Sequence, residues 1–340
     1  MTLVELDRLK VKFRTSRRDL HAIDNVSFAL SEGESLGLVG ESGCGKTTVA
    51  RALLRILPGN AAATGRILFR GRDLLAMSLD EIRQVRWREI ALVTQSAMNA
   101  LDPIYRVGTQ IVEAVRAHER CSRSVAWERA ERLFELVGLK AEWVRRYPHE
   151  FSGGMRQRAI IAMALALNPP LIIADEPSTA LDVIMQDQVF AEIDRIRAER
   201  GTALILITHD ISLVAENCDR IAVMYAGQIA EMASANVILE RPLHPYTIGL
   251  LNASADIAHR GTDLISIAGA PPDLTHPPAG CRFAPRCPFA RAKCNEPPPL
   301  VEHEEGHWVA CHFAEEAQAF RRAGAEASTW EAAAAATAAA

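Results

Sequence analysis

The sequence predicts an α/β protein built around a largely parallel sheet, followed by a small region rich in proline and cysteine. Three observations carry this. Residues 40–47 read Gly-Glu-Ser-Gly-Cys-Gly-Lys-Thr, a glycine-rich loop set between an apolar run and a helix-like run. Short β-like runs alternate with longer helical patterns over the first 235 residues, as expected of strands joined by crossover helices. Residues 241–320 then hold eleven of the seventeen prolines and four of the seven cysteines, too much proline for another layer of the same sheet.

In chain order, Leu36–Val39 reads as a buried strand and Thr48–Leu54 as a helix, which makes the glycines between them a phosphate-binding loop. Glycines let backbone N–H groups close around a phosphate, and the following helix N-terminus adds partial positive charge. Lys46 can reach the outer phosphates and the Thr47 hydroxyl can ligate magnesium. The predicted ligand is a nucleoside triphosphate (ATP, as a family resemblance carried by further motifs implies), held by Gly40, Glu41, Ser42, Gly43, Cys44, Gly45, Lys46, Thr47 and Thr48. Val125–Leu139 has helical spacing and stops near Gly138; Gln186–Arg200 is a helix ended by Gly201. Leu171–Ala174 is a buried strand running into Asp175 and Glu176, whose side chains point in different directions and can do different work. Asp175 is predicted to hold magnesium, and Glu176 to polarise the water that attacks the γ-phosphate. Ala203–Ile207 is another strand, and Ala226-Gly227 turns a hairpin within Arg220–Met232.

A length of 340 residues allows two or three domains, and a net charge of −4 argues against a protein built to coat nucleic acid. No apolar run approaches a membrane span, and charges occupy the N-terminus where a signal peptide needs an apolar core. The expected location is cytosolic, with any membrane role exerted through partner subunits.

Further motifs carry a family resemblance. Phe151-Ser-Gly-Gly-Met-Arg-Gln-Arg158 resembles the signature motif of ABC-transporter ATPases, with Met155 where many members have glutamine. Ser178–Asp182 resembles their D-loop, Ile207-Thr-His-Asp210 their switch-histidine motif, and Gln95 their Q-loop glutamine, all in the family order over about residues 5–235. The resemblance implies a P-loop (RecA-like) cassette over 1–235 with a helical subdomain at about 96–165. It implies that two cassettes pack head to tail, so that Ser152, Gly153 and Gly154 of one contact the γ-phosphate held by the other. His209 would contact the γ-phosphate, Gln95 would sense magnesium and the attacking water, and Asp182 would sit in the dimer interface. Phe13 stands where the family stacks an aromatic on adenine, with a core phenylalanine as the competing reading. Residues 96–103 are the expected receiver of a permease coupling helix.

His244-Pro-Tyr-Thr-Ile-Gly-Leu-Leu251 and the ending Gly280-Cys-Arg-Phe-Ala-Pro-Arg-Cys-Pro288 resemble the oligopeptide/dipeptide importer branch, nearer its dipeptide-type first ATPase. That extends the resemblance to about residues 5–315 and makes 236–320 the branch's C-terminal domain, with 321–340 a low-complexity tail. Cys281, Cys287, Cys294 and Cys311 are spaced C-x5-C-x6-C-x16-C, neither a zinc-ribbon nor a standard ferredoxin pattern. Related ATPases suggest a [4Fe–4S] cluster on all four; a zinc site using His307 or His312, and four free thiols, are the alternatives. The implied assembly is an importer on the cytoplasmic face of the inner membrane. It comprises this ATPase, a second one, two permeases and an extracytoplasmic binding protein. Peptides are the expected cargo; nickel, glutathione or oligosaccharides are the alternatives, since 95–103 lacks the proline usual before Met98. A soluble ABC-type ATPase acting on ribosomes or DNA is the less favoured reading, and a redox-sensing role for the cysteines is a further one.

Overall fold

The computed structural model describes residues 1–16, 18–94, 100–177, 183–254 and 265–331. In chain order the strands are β1 (Thr2–Arg14), β2 (Asp19–Ser31), β3 (Ser35–Val39), β4 (Ala61–Phe69), β5 (Arg72–Asp73) and β6 (Ile90–Val93). They continue with β7 (Leu171–Asp175), β8 (Ala203–Thr208), β9 (Arg220–Tyr225), β10 (Gln228–Ser234), β11 (Val301–Glu304) and β12 (His307–Val309). The chain divides into two units, one of Met1–Thr2, Leu30–Glu34 and Ala76–Leu206, the other of Leu3–Ala29, Ser35–Leu75 and Ile207–Ala340.

In the first unit the strand order is β8-β7-β6, with β6 and β7 parallel from Ile90↔Leu171 to Val93↔Ala174. Every residue of β7 and β8 is buried, which is why both read as unbroken apolar runs rather than alternating ones. Helices Val107–His118 and Arg123–Leu136 pack against each other and against Gly153–Ala164. Phe134 meets Phe151 edge-on at 6.2 Å, and the Trp87 indole donates to the Met163 carbonyl at 2.7 Å. The Arg123–Leu136 helix stops before Gly138, whose φ of +71° few other residues adopt.

The second unit holds an antiparallel sheet in the order β2-β1-β4-β5 and a mixed one running β11-β12-β10-β9-β3. β3 and β9 are parallel, with Leu36 opposite Arg220, while β9 and β10 form the expected hairpin about Ala226-Gly227. Ser35 anchors the start of β3, donating from N and Oγ to Asp219 at 2.8 and 2.6 Å. Leu36, Leu38 and Val39 are fully buried, as are Val49 and Leu53 of the helix that follows.

The proline-rich region contains more than loops. β12 joins β10 with Met232 opposite Trp308, and β11 folds back on β12. The short strands Val301–Glu304 and His307–Val309 carry too many polar residues to stand out by pattern. A buried hydrogen-bonded pair secures them. The Glu231 carboxylate lies 2.7 Å from His307 Nε2, and its two oxygens accept the Leu243 and His244 N–H groups at 2.7 and 3.0 Å.

His244 caps the Pro245–Ala253 helix, its Nδ1 accepting from Tyr246 N at 3.0 Å. That role needs a neutral ring, and burial lowers the His244 pKa to about 4. An unfolded histidine protonates near 6.5. Between those values the unfolded chain binds the extra proton, so the stability from this group is complete above about pH 6.5 and is lost as pH falls toward 4, about 3 kcal/mol in all. In urea unfolding at about pH 7.5 and about pH 5, wild type is expected to lose more stability than His244→Asn, which retains a capping acceptor. Equal losses would show that His244 does not set the acid limb.

Candidate functional site

The glycine-rich loop leaves β3 at Val39 and enters the Lys46–Leu53 helix through Gly45, at φ +108°. Two of its glycines are required by space. A Cβ on Gly40 would overlap the Met224 carbonyl oxygen, and one on Gly45 would lie 2.6 Å from the Ala22 oxygen. The backbone therefore lies against its neighbours on the inner side, as an anion cradle needs. No side chain caps the helix N-terminus and no acid occupies its first turn, leaving its N–H groups and dipole to favour a negative ligand.

Lys46 is buried, its ammonium donating to the carbonyls of Gly40 at 2.6 Å and Glu41 at 3.0 Å. Those bonds fold the side chain over the loop. Ser42 and Gly43 are exposed at the loop tip, and Thr47 and Thr48 are half-buried. Burial pushes the Cys44 thiol up despite the neighbouring Lys46, so it is a packing group rather than a nucleophile.

His209, in the same unit as the loop, follows β8 and is exposed. Its neighbours in Thr-His-Asp do structural work. Asp210 caps the Ile211–Asn217 helix, accepting from Ser212 N at 2.9 Å and Leu213 N at 3.3 Å, and its own N–H donates to Thr208 Oγ1 at 3.1 Å. Phe13 lies on β1 opposite Ala61 and is half-buried, outside the core.

Asp175, Glu176 and the signature residues belong to the first unit. Asp175 is buried at the end of β7, while Glu176 is half-buried with φ +48°. A left-handed glutamate costs on the order of 1 kcal/mol and is a mark of functional positions. The Asp175 carboxylate is a hard oxygen donor, the chemistry that suits magnesium; the Thr47 hydroxyl in the other unit is a donor of the same kind. Ser152 is exposed and caps the Gly153–Ala164 helix, its Oγ accepting from Met155 N at 3.3 Å; Gly153 is half-buried and Gly154 buried. Gln95, Ser178–Asp182 with Asp182, residues 96–99 of the expected coupling segment, and 332–340 of the tail lie outside the described residues.

Cys281, Cys287, Cys294 and Cys311 all line one small cavity, with Phe283, Phe289, Phe313 and His312 among its walls. Burial pushes the Cys281 and Cys287 thiols up, and that of Cys311 up to about 11. Among the described residues, no three His, Cys, Asp or Glu side chains gather closely enough to hold a single metal ion. His307 is committed to Glu231 and does not line the cavity; His312 does, with Nε2 3.0 Å from the Glu296 carbonyl oxygen. Cysteine sulfur is a soft donor, the ligand chemistry that iron–sulfur and zinc sites share.

Sequence reasoning missed the groups that grip the loop from outside. Arg286 donates to both carboxylate oxygens of Glu41 at 2.7 and 2.9 Å, and Tyr246 Oη accepts the Glu41 N–H at 2.9 Å. Both residues lie in the motifs His244–Leu251 and Gly280–Pro288, whose local pattern carries no sign of a contact with the loop.

Comparison with known proteins shows the family. The ABC transporter family model matches residues 23–179, and that of the oligopeptide/dipeptide transporter C-terminal region matches residues 230–294. A probable peptide ABC transporter ATP-binding protein of Sinorhizobium fredii, y4tR, is 46% identical, covering 91% of this chain and 94% of its own. The oligopeptide transport ATP-binding protein OppD of Salmonella typhimurium is 42% identical over 91% of this chain and 93% of its own. The dipeptide transport ATP-binding protein DppD of Bacillus subtilis is 41% identical over 91% and 94%. Among solved structures, the dimeric bacterial ABC transporter cassette MJ0796 superposes with a TM-score of 0.63 at 25% identity, covering 68% of this chain and 99% of that one. With the loop, the paired acids and the C-terminal region in one chain, the protein belongs to the family of ABC transporter ATP-binding proteins of the oligopeptide/dipeptide type.

Proposed function

We propose that this chain is the ATP-hydrolysing subunit of a binding-protein-dependent importer that drives uptake of di- or oligopeptides across the inner membrane. The observation that carries this is likeness to peptide-transport ATPases along 91% of the chain, cassette and C-terminal region together. Those relatives favour peptides over nickel, glutathione or oligosaccharides. Among the described residues no helix is long and apolar enough to cross a membrane. The chain is read as a peripheral subunit on the cytoplasmic face, paired with a second ATPase, two permeases and an extracytoplasmic binding protein. Its domains are taken as 1–235, with a helical subdomain at about 96–165, then 236–320 and a tail at 321–340.

In this reading the loop N–H groups and Lys46 hold the phosphates, and Phe13 stacks on adenine. Thr47, Asp175 and Gln95 would hold magnesium, which when bound neutralises charge on the outer phosphates. Glu176 orients and polarises the attacking water, and His209 contacts the γ-phosphate and keeps that water in line. Hydrolysis needs no covalent intermediate; positioning and charge stabilisation carry it. Ser152, Gly153 and Gly154 complete the site of the partner cassette, and Asp182 joins the interface. Nucleotide-driven closure of the cassettes then moves the permeases. Cys281, Cys287, Cys294 and Cys311 are the ligands of a [4Fe–4S] cluster, which when bound would tie together a region with little apolar core.

Glu176→Gln is expected to bind ATP with near wild-type affinity while steady-state phosphate release falls by about 10²-fold or more. Turnover close to wild type would remove Glu176 from the attacking-water role. After anaerobic purification, about four irons and four acid-labile sulfides per chain are expected; stoichiometric zinc without sulfide would overturn the cluster. A mild-detergent pull-down from native membranes should recover two permeases and a second ATPase. Recovery solely from the soluble fraction, or with ribosomes or DNA, would overturn the transport reading and leave the ATPase.

A further inference from the structure

Arg286 lies in the cysteine-bearing segment, next to Cys287, yet its side chain leaves the cysteine cavity and reaches the phosphate-binding loop. Only 5% of it is exposed, and it forms a two-point ion pair with Glu41, 245 residues away in sequence. The guanidinium is itself fixed. It donates to the Ala268 carbonyl at 2.9 Å, the Ile267 carbonyl at 3.1 Å and the Tyr225 hydroxyl at 3.2 Å.

Glu41 is the second residue of the loop and is held at three points. Its N–H goes to Tyr246, its carbonyl accepts from Lys46, and its carboxylate takes Arg286. Arg282, next to Cys281, reinforces the same loop from another side. It donates to the Ala226 carbonyl and, at 2.6 Å, to Asp24, while the adjoining Gly227 N–H donates to the Cys44 carbonyl at 2.9 Å.

The charge balance gives this contact a consequence for ligand binding. The carboxylate belongs to a residue whose carbonyl is already in contact with the Lys46 ammonium. Left without its arginine, that carboxylate would add an uncompensated negative charge to the loop that receives the triphosphate and repel it. Paired two-point with a guanidinium, it is neutralised and directionally fixed.

We propose that Arg286 is a positioning residue for ATP binding: acting through Glu41, it cancels the loop's own negative charge and fixes the loop backbone, so that the cysteine-bearing segment sets nucleotide affinity. The inference rests on the ATP site described above. It does not depend on which group the cysteines hold.

The test is ATP binding and steady-state hydrolysis by the full chain, with wild-type binding in the same assay checking the ATP site itself. Arg286→Gln should weaken ATP affinity about tenfold and raise KM similarly, with kcat at saturating ATP changed by less than about twofold. The loss should be smaller for ADP than for ATP, because the exposed carboxylate acts on phosphate charge. Removing that carboxylate as well, in Glu41→Gln/Arg286→Gln, should restore affinity to within about threefold of wild type. A merely structural role predicts equal losses for ATP and ADP and no rescue. Wild-type ATP affinity in Arg286→Gln, or a double variant as weak as the single one, would overturn the proposal. If Arg286→Gln does not fold, Arg286→Lys decides: it keeps the charge but not the two-point geometry, so about two- to fivefold weaker binding supports the proposal and unchanged binding overturns it.

Discussion

The loop at the end of β3 runs against its neighbours with no room for a side chain at two positions: Gly40 lies on the Met224 carbonyl and Gly45 on that of Ala22. That close approach fixes the course of the backbone, and much of the second unit serves it. β9 lies parallel beside β3 and brings Met224 to the loop. The β9–β10 turn then places Gly227 N–H on the Cys44 carbonyl. Tyr246, first turn of the Pro245–Ala253 helix, supplies a hydroxyl to the loop's second residue. Each is a hydrogen bond or van der Waals contact of ordinary strength. Together they leave the loop few alternative conformations, so little ordering entropy remains to be lost on binding phosphate.

Buried ions in this unit need a reason, since taking an Arg–Glu pair out of water costs several kcal/mol that the pairing often only offsets. A well-packed apolar contact could join the C-terminal region to the loop at least as stably. What the guanidinium adds is direction and charge. Its planar fork accepts one orientation of Glu41, and it neutralises a carboxylate that would otherwise stand beside an anion site. The Glu231–His307 pair works differently: it satisfies two backbone N–H groups and one ring nitrogen at the joint between β10 and β12, which an apolar side chain could not do.

How much of this is legible in the sequence depends on the range of the forces involved. The loop, β7, β8 and the β9–β10 hairpin follow from local pattern, because fully buried strands are continuous apolar runs and the loop's glycines sit at set spacing. Helix ends at Gly138 and Gly201 are equally local, both residues holding positive φ. The β11–β12 hairpin is not legible: Val301–Glu304 is exposed along its whole length, so no face is marked as buried. The Arg286–Glu41 contact is also hidden, since an ion pair between residues 41 and 286 leaves no periodic trace in either segment. The left-handed backbone of Glu176 is concealed for another reason; a glutamate gives no hint that neighbouring structure will force it there.

Ser152 is placed so that one side chain can combine a structural task with the chemical one proposed for it. As an N-cap its oxygen accepts a hydrogen bond from Met155 N through a lone pair, which uses no proton. The hydroxyl hydrogen therefore remains available as a donor, and the exposed position lets it point away from its own helix. An alanine there would lose the cap and the donor together, and an aspartate would retain the cap while presenting a negative charge. A serine keeps both functions without adding charge. In the proposed head-to-tail pair the same atom would fix the end of one helix and meet the γ-phosphate held by the other cassette, so that the positive end of that helix is brought to bear exactly where phosphate charge must be stabilised.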